Sequence, residues 1–417
     1  MRQHRRVVIT GLGVVAPNGI GKDAFWQSLV AGKSAVDYIK SFDVSPYPCK
    51  IAAEVRSFYP REFISARTVK TAARFSLFAV AATRLALDDA KLTLGSSTPD
   101  VAICYGTSVS GIGDIGDEAA RALHDVQGKN DLKPWAVLEY PSHAASSYVA
   151  IEFGITGPAL SVSSNCCTGI DAIQTAASYI AGGKVKVAVA GACDAPIFPL
   201  SFAGFCALGA LSNRTDDPRK ASRPYDLMRD GIVLSEGAGT VVLEDLEFAL
   251  NRGAHIYAEV LGHAAASEAM GMRKGDLEGV IMAGALAAAI SDAQLSPSDI
   301  DHINAHGSSL PDYDVCDTNG FKKALGRHAY SIPITSIKSM IGQPISAAGV
   351  FQTASACLSI EHQIVPPTIN QEIRDPKCDL DYVPNVARGA RIRNVLLNGH
   401  SFGGSVSALV IGKPAKI

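Results

Sequence analysis

Short apolar runs alternate along the chain with longer stretches in which apolar residues recur at helical spacing. Residues 7–10 read as a buried strand, and residues 23–31 place Phe25, Leu29 and Val30 on one face of a helix that Gly32 ends. Residues 67–90 read as one long amphipathic helix, with Arg67, Lys70 and Arg74 at i, i+3 and i+7 on one face. A strand at 101–106 follows, then a helix and a loop over 114–140. The apolar run 155–162 leads into a small-residue turn, Ser163-Ser164-Asn165-Cys166-Cys167-Thr168-Gly169, and an Ala- and Ile-rich helical pattern then runs to Gly182-Gly183. Residues 184–191 and 239–244 are strands, 198–210 is helical in part, and 214–223 is a surface loop.

In the second half, helices are expected at 277–293, at 315–325 and onward from Ser346, and strands at 300–305 and 332–336. The chain closes as strand, Gly turn, strand over 394–411. This order predicts an α/β fold with a sheet mostly parallel at its centre. The halves echo each other: Ile173-Gln174-Thr175-Ala176 resembles Phe351-Gln352-Thr353-Ala354. That match predicts a duplicated domain, divided as 1–253 and 254–417. In its register Gln343 falls one place before the Cys166 position, so two helices would start facing one point from opposite halves.

Composition narrows the function classes. The chain has 417 residues, 47% of them hydrophobic, enough for one large or two medium domains. Its 38 basic residues against 40 acidic ones leave a formal charge of −2, which argues against a nucleic-acid partner. No apolar run reaches the ~18 residues of a membrane span. The basic opening is followed by an apolar run too soon broken by Gly11 to be a signal peptide. Nine cysteines without a C-x-x-C pair suggest neither a disulfide framework nor a metal site, so a reducing cytoplasm is the expected setting. Gly11-Leu12-Gly13-Val14-Val15-Ala16 fits the loose dinucleotide pattern, but Pro17-Asn18-Gly19 stands where a helix should begin. A tight strand-to-loop turn is the better reading.

The chemistry concentrates at Cys166. A strand that delivers a Cys into a sharp turn at a helix N-terminus favours thiolate over thiol and leaves backbone N–H groups free for an oxyanion. One of Cys166 and Cys167 is expected to face the site while the other packs in the core.

With those motifs in place, the chain resembles the β-ketoacyl-acyl-carrier-protein synthases of the thiolase superfamily, elongating type. The resemblance covers nearly the whole length. It rests on Val7 to Val15 with Phe25-Trp26, on Arg223-Pro224-Tyr225-Asp226 and Glu236-Gly237-Ala238-Gly239, and on Asn304-Ala305-His306-Gly307-Ser308-Ser309. Lys338-Ser339-Met340-Ile341-Gly342 and Phe402-Gly403-Gly404 complete it. It implies two α/β/α/β/α halves, usually in a homodimer, and a ping-pong condensation. The Cys takes an acyl group from a carrier-protein thioester, and two His residues help decarboxylate malonyl-carrier protein. Carried over by position, Cys166 is the nucleophile, His306 the first His and Lys338 the motif Lys, with the N–H groups of Cys166 and Phe402 as oxyanion hole. Phosphopantetheine arrives on the acyl carrier protein, so no other cofactor and no metal are expected. Arg67, Lys70 and Arg74 become a docking patch for that acidic protein, and Val109, Phe202 and Phe205 the surroundings of the acyl pocket.

The departures from the family pattern shape the alternatives. Gln343 replaces the second His, Leu310 a Thr that contacts the pantetheine arm, Tyr313 an Asn, Ser308 a Thr and Asp317 a Glu. Gln cannot titrate, but its amide can still donate to a thioester carbonyl. Three readings follow: a condensing enzyme using Cys166, His306 and Gln343, a chain-length-factor-like partner in a heterodimer, and acyl transfer without decarboxylation.

Overall fold

The protein is described by a computed structural model that covers residues 5–95, 98, 100–124 and 135–414; part of the loop expected within 114–140 lies outside the described residues. Among the described residues the main sheet has eleven strands, a two-residue one, Gly19–Ile20, pairing only with the first; the other ten, in chain order, are β1 (Val7–Ala16), β2 (Val101–Gly106), β3 (Ala159–Val162), β4 (Val187–Asp194), β5 (Gly237–Asp245), β6 (Ala258–Ser267), β7 (His302–Asn304), β8 (Ile334–Thr335), β9 (Asn394–His400) and β10 (Ser405–Gly412). Their order across the sheet is β8-β7-β9-β10-β6-β1-β5-β4-β2-β3. It reads the same from both ends, with β1 to β5 in the places that β6 to β10 hold in the other half. Pairing sense repeats as well: β3-β2-β4 and β8-β7-β9 are parallel, while β5 and β10 run antiparallel to both neighbours.

The parallel strands therefore form the outer parts of the sheet. The centre, where β1 meets β6, is antiparallel, contrary to the expectation from sequence. In the second half β9 and β10 are joined by residues 401–404 alone, and so short a connection between adjacent strands makes them antiparallel; in the first half β4 and β5 pair in the same sense across the longer stretch 195–236, which carries the helix Pro199–Leu208.

Eight helices matter for the site: α1 (Ala66–Thr71), α2 (Arg74–Asp89), α3 (Thr168–Ala181), α4 (Pro199–Leu208), α5 (Val280–Asp292), α6 (Pro311–Leu325), α7 (Lys338–Ile341) and α8 (Ala348–His362). Outer layers are made by α2 on β1, β4 and β5, and by α5 with α6 on β6 and β10. Between the halves lie α3, touching β2, β4 and β10, and α8, touching β9, β5 and β1. Small residues let these two helices approach closely. A Cβ on Gly169 would stand 2.7 Å from Val350 N, and one on Gly349 would stand 2.6 Å from Ile170 N. The contact is reciprocal, as a two-fold relation between the halves requires.

Two local expectations change. The Gly11 to Ala16 stretch is not a turn but the second half of β1. A Cβ at Gly13 would meet Ala82 O at 1.9 Å, so the glycine lets α2 lie directly on the strand. The single helix over 67–90 is broken, with Ala72 and Ala73 extended between α1 and α2. Asp114 Oδ2 accepts from Arg74 N at 2.8 Å, giving α2 a borrowed cap where the chain offers only Ala73.

Candidate active site

Edge strand β3 feeds a 3-10 turn, Asn165–Cys167, that runs straight into α3. Asn165 sits at φ +56°, a left-handed conformation that Asn tolerates better than most residues. Ser164 closes the turn: its N–H donates to Thr168 Oγ1 at 2.9 Å and its hydroxyl to Asp171. Cys166 faces a cavity at 6% exposure. Cys167 is fully buried, its thiol donating to Ser405 O at 3.3 Å.

Burial pushes the Cys166 thiol up to about 12; the Lys338 charge pulls the other way and Asp194 adds to the rise. The thiolate expected from the helix N-terminus is thus outweighed by desolvation, and the resting residue is a thiol. Gln343 reaches it from the opposite half. The Gln343 backbone is pinned by donating to Val233 O at 2.7 Å and accepting from Ser235 N at 3.0 Å. Its side-chain amide Nε2 then donates to Cys166 Sγ at 3.3 Å, and its Oε1 is buried without a partner.

His306 follows β7 on a loop that α6 holds. Asp314, in the first turn of α6, accepts from Ser308 N at 2.9 Å and Ser309 N at 3.2 Å; Asp317 accepts from Gly307 N at 2.8 Å. Asn398 links the two, accepting from His306 N at 2.9 Å and donating to Asp317 Oδ1 at 2.9 Å. Lys338, buried on α7, donates through Nζ to His306 O at 2.7 Å. Burial first, then the Lys338 charge, hold His306 well below the usual imidazole range, so the ring is neutral. Its Nδ1 accepts from His400 N at 3.3 Å, which leaves the ring proton on Nε2. Burial draws Lys338 down to about 8, and raises Asp314 to about 7 against the pull of Arg229.

The cavity is small, about 20 Å³, room for one water and no acyl chain. It is lined by Cys166, His306, Gln343, Ser308, Leu310, Phe205 and Phe402, all singled out from sequence, together with Asn165, Ile232, Tyr313, Ile345 and His400. Two residues expected around the acyl pocket stand behind the cavity rather than on its wall. Phe202 is fully buried in α4, edge-on to Phe42 at 5.7 Å and Tyr47 at 5.5 Å. Val109 gives its N–H to Asp194 Oδ1 at 2.9 Å and packs on the same apolar cluster without lining the cavity.

The basic patch is also revised. Arg67 and Lys70 are exposed on α1, but Arg74 begins a different helix and turns inward, donating to Glu236 and to Val55 O. A buried carboxylate captures the guanidinium that the helical spacing had placed on the outer face.

Sequence reasoning assigned no role to Asn398, His400 or Glu268. His400 ends β9 fully buried, with Nε2 3.1 Å from Glu268 Oε2 and the Tyr313 ring 4.2 Å away. The available signal was a His and an Asn inside an otherwise apolar strand end just before a Gly turn. Glu268, Cys316 and His400 each bring one potential ligand atom within 4.8 Å of the others. Burial first, then the Asp317 and Glu268 charges, raise the Cys316 thiol, which donates to Glu268 Oε1 at 3.8 Å.

The chain matches two family models: beta-ketoacyl synthase, N-terminal domain, over residues 4–249, and beta-ketoacyl synthase, C-terminal domain, over residues 257–372. It is 42% identical over 416 residues to the tetracenomycin polyketide synthase ketoacyl synthase alpha subunit of Streptomyces glaucescens, covering 98% of this chain and 97% of that one. Among solved structures it resembles a type II PKS acyl-carrier protein in complex with its ketosynthase bound to the hexaketide (TM-score 0.90, 35% identity, 99% of this chain and 100% of that one). It also resembles the ishigamide ketosynthase/chain length factor (TM-score 0.91, 33% identity, 99% and 100%).

Proposed function

We propose a function from the premise that this chain belongs to the beta-ketoacyl synthase family. It takes an acyl chain from a carrier-protein thioester onto Cys166 and condenses it with malonyl-carrier protein, in polyketide or fatty-acid biosynthesis. The observation that carries this reading is the pairing of the Gln343 amide with Cys166 Sγ in a cavity shared with His306.

In the first half-reaction the Cys166 sulfur attacks the thioester carbonyl, the C–S bond to the phosphopantetheine arm breaks, and the Cys166 and Phe402 N–H groups serve the oxyanion. In the second, the His306 Nε2–H and the Gln343 amide both donate to the malonyl thioester oxygen. CO2 leaves, its bonding electrons remain as an enolate, and that carbon attacks the acyl-enzyme to release Cys166. The amide supplies the hydrogen bond a second imidazole would, without titrating. Phosphopantetheine comes with the carrier protein, and entry of a chain requires the side chains around the 20 Å³ cavity to give way.

Arg67 and Lys70 are the docking residues that remain for the carrier protein. Edge strand β3, with Ala159 and Leu160 exposed, suits pairing with a second subunit, either an identical copy or a chain-length factor. No helix among the described residues is long and apolar enough to cross a membrane, in keeping with a cytoplasmic enzyme.

Intact-protein mass spectrometry tests the reading. Wild type mixed with acyl-carrier protein gains an acyl group on Cys166, and adding malonyl-carrier protein releases it as a β-ketoacyl product two carbons longer. Loading followed by release only to a non-malonyl nucleophile supports acyl transfer without decarboxylation. No loading without an added ketosynthase supports the partner-subunit reading. Charge reversal of Arg67 and Lys70 raises KM severalfold for the carrier-bound substrate and leaves a small thioester unaffected.

A further inference from the structure

The loading step needs a proton acceptor, and the residues named so far do not provide one. Cys166 rests as a thiol. Gln343 is an amide. His306 commits Nδ1 to the His400 N–H and keeps its proton on Nε2, the tautomer suited to donating. The Lys338 ammonium is spent on His306 O.

We infer that His400, held by Glu268, is the general base that takes the Cys166 proton. His400 lines the same cavity as Cys166. Its side chain is fully buried, yet neither ring nitrogen has a hydrogen bond: Nδ1 has no partner, and Nε2 lies 3.1 Å from Glu268 Oε2 but off alignment. Glu268 Oε2 is likewise unsatisfied. A buried imidazole and carboxylate left this way are costly unless the site uses them, and catalytic hydrogen bonds often tighten only once substrate is bound. The ring is fixed from one side by Tyr313, at 4.2 Å, while its own main-chain N–H sets the His306 tautomer. The charged and titratable groups facing it are Glu268 from the end of β6, Tyr313, Cys316 and Asp317 from α6, and His306 after β7.

The step balances. The S–H proton of Cys166 passes across the cavity to His400, directly or through one water. The sulfur attacks the carrier thioester, the C–S bond to the pantetheine arm breaks, and the departing thiolate takes the proton back from His400. Glu268 stabilises the imidazolium in between. The residue that replaces the second His in sequence thus donates hydrogen bonds, and the titratable role moves to a different strand.

This inference rests on the function proposed above, so the test includes a readout independent of substrate. Alkylation of Cys166 by iodoacetamide is followed from pH 6 to pH 9, alongside acylation by a short acyl thioester of N-acetylcysteamine. In wild type the rate rises with pH and levels off once the base is deprotonated. His400→Gln slows both reactions at pH 7 by about 100-fold or more, and its rate climbs tenfold per pH unit without a plateau. His400→Ala recovers with added imidazole. Glu268→Gln, which keeps the imidazole, gives a smaller loss and covers the case in which His400 variants do not fold. A His400→Gln rate and profile like wild type, or a uniform loss with the plateau intact, overturns the assignment. So does stoichiometric zinc in the purified protein. If alkylation depends on His400 but no thioester ever loads, the function is wrong and the dyad stands.

Discussion

Two 3-10 turns, Asn165–Cys167 and Ile345–Ala347, deliver the two central helices, and each begins with a residue at positive φ, +56° at Asn165 and +49° at Ile345. Beyond the backbone they diverge. In the second turn Ser346 N donates to Asp194 Oδ2 at 2.9 Å and Ser346 Oγ pairs with Ser108 Oγ at 2.7 Å. Asp194 in turn collects Thr107 Oγ1, Ser108 N and Val109 N. In the first turn the corresponding side chain, Cys166, has only the Gln343 amide and a long contact to Asn165 Oδ1 at 3.7 Å. The geometry of a sharp turn into a helix does not by itself make a nucleophile. It does so where the side chain is left with unspent bonding capacity beside an empty volume, and the same turn becomes structural where a buried carboxylate satisfies it.

The sharpest way to break this comparison is to remove the two side chains in turn. Cys166→Ala abolishes acyl loading outright in the mass measurement, whereas Ser346→Ala still loads. Equal loss in both would mean the second turn is also part of the reactive site. Next in size is the helix crossing. Gly349→Ala forces a methyl against Ile170 N and costs about 3 kcal/mol, read as a shift in the urea midpoint. A variant as stable as wild type would show that the halves can slide apart. The smallest effect tests the turn residue itself. Asn165→Gly changes stability by a few tenths of a kcal/mol, while Asn165→Val, β-branched at positive φ, costs about 1–2 kcal/mol. No difference between these two would place the strain elsewhere.

The sequence was most legible where chemistry forces residue identity. Cys166, His306, Lys338, Gln343 and Phe402 were found by motif and come together around one point. The duplication was also visible, although for the wrong reason. The four-residue match sets α3 and α8 two places away from the register shown by their turns and by the Gly169–Gly349 crossing. Small buried residues recur too often to fix a register. Arg74 was misplaced because helical spacing says which face a residue would occupy, not that a helix will break at Ala72 and Ala73 or that Glu236 lies within reach. Phe202 and Val109 stand in the apolar cluster that also holds Cys166 and Phe205, behind the cavity rather than on its wall, and composition alone does not separate those two positions. His400 and Glu268 escaped notice because they are 132 residues apart in sequence and meet only when β6 and β10 bring β9 beside the loop after β6.

The interlocked glycines also set a schedule for the growing chain. The helix that carries Cys166 is completed at Ala181, and the one that must cross it starts at Ala348, about 170 residues later. At translation speeds of roughly 5–20 residues per second, the reactive half emerges some 10–30 s before its counterpart exists. For that interval α3 has an apolar flank with nothing to lie against. Newly made protein is therefore most exposed to aggregation, and most dependent on chaperones, before its last quarter has left the ribosome.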